Sequence, residues 1–241
     1  AAAAVLALTG CSGSGSGDNS GGADDAFKVI AFTSGNQTPV GAWWVKAVTA
    51  QAEELGWDVL APEMNAYGWT IAEQTRAVGD AIARDAIVGG PDLDVLMGSS
   101  YGALALANAA AVVEGNGSNT PRLVLLAPAF GLAENFRAMV GEAGCREWEE
   151  RGSRPYFHHG FDREVEFGWD FMQAADSMSW PEMPHPTIII HGKSDEIVPI
   201  ENSRRIAEEF DDVELIEVED GPRMQESLHY MALAVERVLA R

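Results

Sequence analysis

The residue types best placed to do chemistry stand at Gly98-Ser99-Ser100-Tyr101-Gly102. The apolar run from Leu93 to Met97 leads into them, and an Ala-rich helical run to Val113 leads away. A serine on a sharp turn between a strand and a helix projects its hydroxyl into the crevice above the sheet. The helix N-terminus then faces any oxyanion that forms there. Ser100 is therefore the candidate nucleophile for acyl transfer. Gly98 and Gly102 suit the turn, because a Cβ at either position would crowd it.

Two further groups fit the same chemistry. His191-Gly192-Lys193-Ser194-Asp195-Glu196-Ile197-Val198-Pro199 follows an apolar run. Asp195 on that loop is the candidate carboxylate that would orient an imidazole and stabilise it when protonated. Its alternative role is to cap the turn that follows, and Glu196 is a weaker substitute. Thr33-Ser34-Gly35-Asn36-Gln37 follows the first strand. Gly35 lets the backbone bend so that the Asn36 N–H points at an oxyanion, with the Tyr101 N–H as its partner. This chemistry needs no metal and no organic cofactor.

The elements that must position these groups alternate. Strands are expected at 27–33, 58–61, 93–97, 122–126, 187–190 and 213–218. Helices are expected at 42–55, 70–87, 101–113, 203–210 and 223–239. Repeated strand–helix units imply an α/β fold with a parallel sheet covered on both faces. The segment from Ala129 to Pro186 is far longer than a connection needs. Its Trp148, Phe167, Trp169, Phe171 and Trp180 suggest a helical cap over the carboxyl edge of the sheet, where ligands bind in open α/β sheets.

Composition narrows the partners. The chain has 241 residues and a formal net charge of −21, which disfavours nucleic acid and anionic membrane surfaces as partners. The two cysteines, Cys11 and Cys145, make no disulfide framework. Residues 1–26 read as a tail, apolar from Ala1 to Leu8 and then rich in Gly and Ser. Leu8-Thr9-Gly10-Cys11 resembles the lipobox of bacterial lipoproteins, which implies a lipid on Cys11 and a flexible tether after it. That places the protein at the bacterial cell envelope, facing periplasm or exterior and held to a membrane only through the lipid.

From Phe27 to Arg241 the chain resembles the α/β-hydrolase superfamily, specifically its small carboxylesterase-like members. The resemblance rests on Ser100 preceding Asp195 and on His-Gly-x-x-Asp-x-x-Val-Pro at 191–199. It implies one domain over 27–241, with a cap insertion at about 130–186 and without the antiparallel strands that usually lead the sheet. It also implies a general base just after the last strand, where this chain reads Asp220-Gly221-Pro222-Arg223-Met224. Pro222 occupies the expected histidine position. On an uninterrupted final helix, His229 would stand two turns beyond it, out of reach. His158 and His159 in the cap, His185 near its end and His191 complete the alternatives. The reading is a serine hydrolase acting on small apolar esters, weakened by Pro222. The alternative is a catalytically silent protein of the same fold that binds an apolar ligand or a partner.

Overall fold

The computed structural model describes residues 29–34, 50, 58–60, 63–87, 95–112, 122–158, 163–222, 224, 226, 227 and 229–241. Cys11, Asn36, His159, the tail and nearly all of the helix expected at 42–55 lie outside these residues, as would any strand before the first one described. In chain order the elements are β1 (Val29–Ser34), β2 (Asp58–Leu60), α1 (Ile71–Ile87), β3 (Val95–Ser99), α2 (Tyr101–Ala111), β4 (Leu123–Leu126) and α3 (Leu132–Arg151). They continue with β5 (Ser153–His158), β6 (Arg163–Gly168), α4 (Asp170–Met178), β7 (Thr187–Gly192), α5 (Ile200–Glu209), β8 (Val213–Val218) and α6 (Tyr230–Leu239).

The alternating pattern closes into a parallel sheet with the order β2-β1-β3-β4-β7-β8 among the described residues. Its central strands β3, β4 and β7 are buried along their whole length, which is why they read as continuous apolar runs. Alternate side chains serve opposite faces. Leu96, Leu123, Leu125 and Ile189 join the core under α1, α2 and α5. Val95, Met97, Val124, Leu126, Ile188 and Ile190 pack against Met231, Val235 and Val238 of α6. Helix α2 is apolar on nearly every side and is correspondingly buried. Its small Ala side chains let it lie close to the sheet and to α1.

Two expectations are corrected. The cap is not purely helical, because β5 and β6 form an antiparallel hairpin between α3 and α4. Helix α3 stops at Gly152, whose φ of +75° lets its N–H close back on the carbonyls of Trp148 and Glu149. Beyond that stop the side chains alternate in a strand-like way, with Val165 and Phe167 of β6 turned into the core.

The final helix starts at Tyr230 rather than Arg223. Met224 adopts φ +50°, and the Asp220 carboxylate accepts from the N–H groups of Gly221 (2.7 Å) and Glu226 (2.9 Å). These local bonds compete with a helix over the same residues. His229 therefore sits at the helix entrance, exposed and against the Tyr230 ring, and not two turns inside a helix.

Candidate active site

Ser100 takes φ +52° and ψ −122°, a backbone conformation that side chains with a Cβ rarely adopt. Such a conformation costs roughly 1–3 kcal/mol and persists only when the surroundings over-determine it. They do so here. The Ser100 N–H donates to the Leu126 carbonyl at 2.8 Å, tying the turn to β4. The Ser100 carbonyl accepts from Ala103 (3.1 Å), Leu104 (3.2 Å) and Ala129 (3.1 Å). Its hydroxyl makes no hydrogen bond among the described residues, and the residue is half-buried. The N–H of Tyr101, the first residue of α2, is likewise without an acceptor among them, as expected at a helix N-terminus.

The sheet order explains why the site forms at this place. From β1 the chain goes outward to β2 and then returns to β3 on the other side of β1. Open α/β sheets bind ligands at such a reversal, outside the carboxyl ends of the strands. Ser34 ends β1 directly opposite Ser99 of β3, so β1 ends beside the turn that carries Ser100. Asn36 itself lies outside the described residues.

Asp195 follows β7, two strands away from β3 with β4 between. At about 4.8 Å per strand, the two turns lie roughly 10 Å apart, a gap that one bridging side chain can fill. The Asp195 carboxylate is buried, its side chain 1% exposed. Oδ1 accepts from the N–H groups of Ile197 (2.8 Å) and Val198 (2.9 Å), so the capping role weighed from sequence is present. Oδ2 lies 3.4 Å from His191 Nε2. The His191 ring is fully enclosed, with Nδ1 at 2.7 Å from Ser203 Oγ and Nε2 at 3.1 Å from the Val198 carbonyl. It braces the acid loop from behind.

The loop after β8 lies against the acid loop. Lys193 N–H donates to the Val218 carbonyl (2.9 Å) and Ser194 N–H to the Asp220 carbonyl (3.0 Å). Pro222 follows two residues later, half-buried. Among the described residues, two further histidines have a place in the fold. His185 is buried with Nε2 at 2.8 Å from the Ala110 carbonyl, at the far end of α2 from Ser100. The backbone of His158 ends β5 opposite Arg163.

A roof of aromatic rings covers Tyr101. Its ring stacks on Phe171 of α4 with centroids 6.2 Å apart, and its hydroxyl donates to the Trp69 carbonyl at 2.8 Å. Burial, reinforced by the Glu73 carboxylate, pushes that hydroxyl well above the ordinary tyrosine range. Phe171 in turn packs on Phe136, Phe167 and Trp148. The two arms of the cap meet at Ser179, whose carbonyl accepts from Gly131 N–H (3.1 Å) and whose hydroxyl accepts from Ala133 N–H (2.9 Å). The sequence held no signal for these anchoring roles of Trp69 and Ser179, because each depends on a partner distant in the chain. Among the described residues, no group of three His, Cys, Asp or Glu is placed to hold a metal ion.

A strained serine turn between strand and helix, a carboxylate loop two strands along and a cap inserted between β4 and β7 define a hydrolase architecture. The chain belongs to the alpha/beta hydrolase family, whose sequence profile matches residues 8–240. Solved structures agree on the fold. Est1E from Butyrivibrio proteoclasticus is 20% identical with a TM-score of 0.64, over 88% of this chain and 86% of that one. The monoacylglycerol lipase of Paleococcus ferrophilus is 15% identical with a TM-score of 0.63, over 88% and 94%. Mouse alpha/beta hydrolase domain-containing protein 10 is 21% identical with a TM-score of 0.62, over 88% and 86%. No curated protein matches the chain in sequence.

Proposed function

We propose that this chain is a serine hydrolase of the carboxylesterase type, acting on small apolar esters with a turnover limited by Pro222. The observation that carries the reading is the backbone of Ser100, held at φ +52°. Strain of this kind clusters at functional sites, and here it falls on a serine at the carboxyl edge of the sheet. Ser100 Oγ attacks the ester carbonyl carbon, and the carbonyl oxygen becomes an oxyanion received by the N–H groups of Tyr101 and Asn36. Collapse expels the alcohol, which takes up a proton, and water then releases the acid from the acyl-serine. Asp195 would orient a base between its own loop and Ser100. With proline at 222, solvent water is left to accept the serine proton.

The aromatic roof favours apolar acyl or alcohol groups. Est1E is also known with ferulic acid bound (19% identical, TM-score 0.65, over 89% of this chain and 90% of that one), and another structural relative is a monoacylglycerol lipase. The proposal extends to the envelope: Cys11 carries lipid and the Gly- and Ser-rich residues after it, to residue 26, tether the domain. The C11S variant is then expected in the soluble fraction instead of the membrane.

A second reading, a silent binding protein, is favoured by one observation, Pro222 in place of an imidazole. A fluorophosphonate probe decides between them. Labelling of Ser100, lost in S100A, supports the enzyme. A folded protein that stays unlabelled in excess probe overturns the enzyme reading.

A further inference from the structure

The cap contains a hollow that the proposed ester chemistry does not use. It encloses about 120 Å³, and neither Ser100 nor Tyr101 borders it. It forms where α3 breaks at Gly141 (φ +75°, ψ 161°). Phe136 and Val140 come from before the break and Trp148 from after it, while Tyr156 of β5 and Phe167 of β6 close the remaining side. The walls are braced from behind. Phe171 packs on Phe136 and on Phe167 with centroids 4.7 Å apart in each pair, and Tyr156 stacks on Phe167 at 4.8 Å. Collapse of the hollow would pull these rings apart, so the space stays open.

The surface it presents is almost wholly apolar. The Trp148 indole N–H is already committed, donating to the Phe167 carbonyl at 2.9 Å. Arg154 also borders the hollow but adds almost no polar surface to it. Charge lies next door. A larger hollow of about 310 Å³ shares Val140, Trp148 and Arg154 and also takes in Arg151 and Glu147, an ion pair at 3.1 Å. Met139, 64% exposed, borders the apolar hollow and marks where it meets solvent. An unfilled cavity costs stability in proportion to its volume, and an apolar one has no groups to hold water. An apolar cavity of about 150 Å³ stays dry and takes up benzene, so this one accommodates a single aromatic ring or a short alkyl chain.

We propose that this hollow binds one small uncharged molecule of aromatic or short alkyl character, at a site separate from Ser100. The ligand fills the space against Trp148 and Phe167 and surrenders its own apolar surface to the walls. A charged ligand loses its hydration there and finds no partner. The site stands whether or not Ser100 turns over.

Titration of the full chain with toluene, and separately with benzoate, tests this. The indole N–H resonance of Trp148, assigned with W148F, reads the contact. Toluene is expected to shift it saturably, with a Kd of about 1 mM or tighter. The Trp180 indole N–H, which Glu134 holds outside the hollow, is expected to stay in place. Benzoate, the same ring carrying a charge, is expected to bind at least about tenfold more weakly. V140F puts a ring into the hollow and is expected to abolish the toluene shift. Should V140F fail to fold, the contrast between Trp148 and Trp180 in the wild-type chain decides alone. No saturable shift of Trp148, an equal shift of Trp180, equal binding of benzoate, or an undiminished toluene shift in folded V140F overturns the proposal.

Discussion

The N–H of Ser194 donates to the carbonyl of Asp220 at 3.0 Å, which seats the loop carrying Asp195 directly against the loop carrying Pro222. The residue two beyond Asp220 belongs to the same corner of the molecule as the candidate acid, and in this chain it has no titratable side chain. A base placed there would need to span the roughly two-strand gap to Ser100, a distance an imidazole and a serine side chain can share.

The first prediction concerns that corner. P222H is expected to raise ester turnover by on the order of a hundredfold or more, the scale of a positioned general base. D195N added to P222H should remove most of the gain, because the imidazole then loses the partner that fixes its tautomer. Initial rates on p-nitrophenyl acetate measure both. An unchanged rate in folded P222H means that position 222 does not face Ser100.

Strain at the nucleophile gives the second. S100G removes a Cβ from φ +52° and is expected to raise the unfolding free energy by about 1 kcal/mol, after allowing for the greater freedom of glycine in the unfolded chain. Labelling by a fluorophosphonate should vanish at the same time. Urea denaturation reads the stability, and a loss in place of a gain would mean the turn is unstrained.

The contact between the two loops gives the third. A Cβ on Gly192 would overlap the Asp220 carbonyl and come within 3.0 Å of the Gly221 oxygen. These are backbone atoms that cannot swing away. G192A is therefore expected to lose about 2 kcal/mol or more of stability. It should also lower the activity of P222H by separating acid from base. Denaturant midpoints of G192A beside wild type test the first part.

Tyr101 gives the fourth. Its hydroxyl titrates above the ordinary value of about 10, because burial and the Glu73 carboxylate disfavour the phenolate. A group raised in the fold contributes stability that is complete below its unfolded value and is lost as pH rises toward the folded one. Wild type should therefore lose stability more steeply than Y101F above about pH 10. At neutral pH, Y101F should be weaker by about 1 kcal/mol, the hydrogen bond to the Trp69 carbonyl. Thermal melts of both proteins across that range make the comparison, and parallel curves would contradict it.

Much of this protein was legible in one dimension. Continuous apolar runs such as Leu123–Leu126, bounded by turn residues and too short for a helix, read as strands covered on both faces. The Gly98–Gly102 pattern between a strand and an Ala-rich helix announces a turn that stores strain, and Ser100 has that backbone. These are local matters, decided by periodicity and by which residues tolerate a given φ.

What tertiary structure decided involves partners far apart in the chain. The aromatic segment looked helical by composition, yet β5 and β6 pair because Val165 and Phe167 find a core to bury into. The last helix looked continuous from Arg223, yet the Asp220 side chain claims the N–H groups of Gly221 and Glu226 and delays it to Tyr230. His191 ends a strand and reads as a locally bonded residue, and the fold supplies the partners, Ser203 and the Val198 carbonyl. Residue types set what each segment can do alone, whereas burial and hydrogen-bond competition, which exist only once distant segments meet, select among those possibilities.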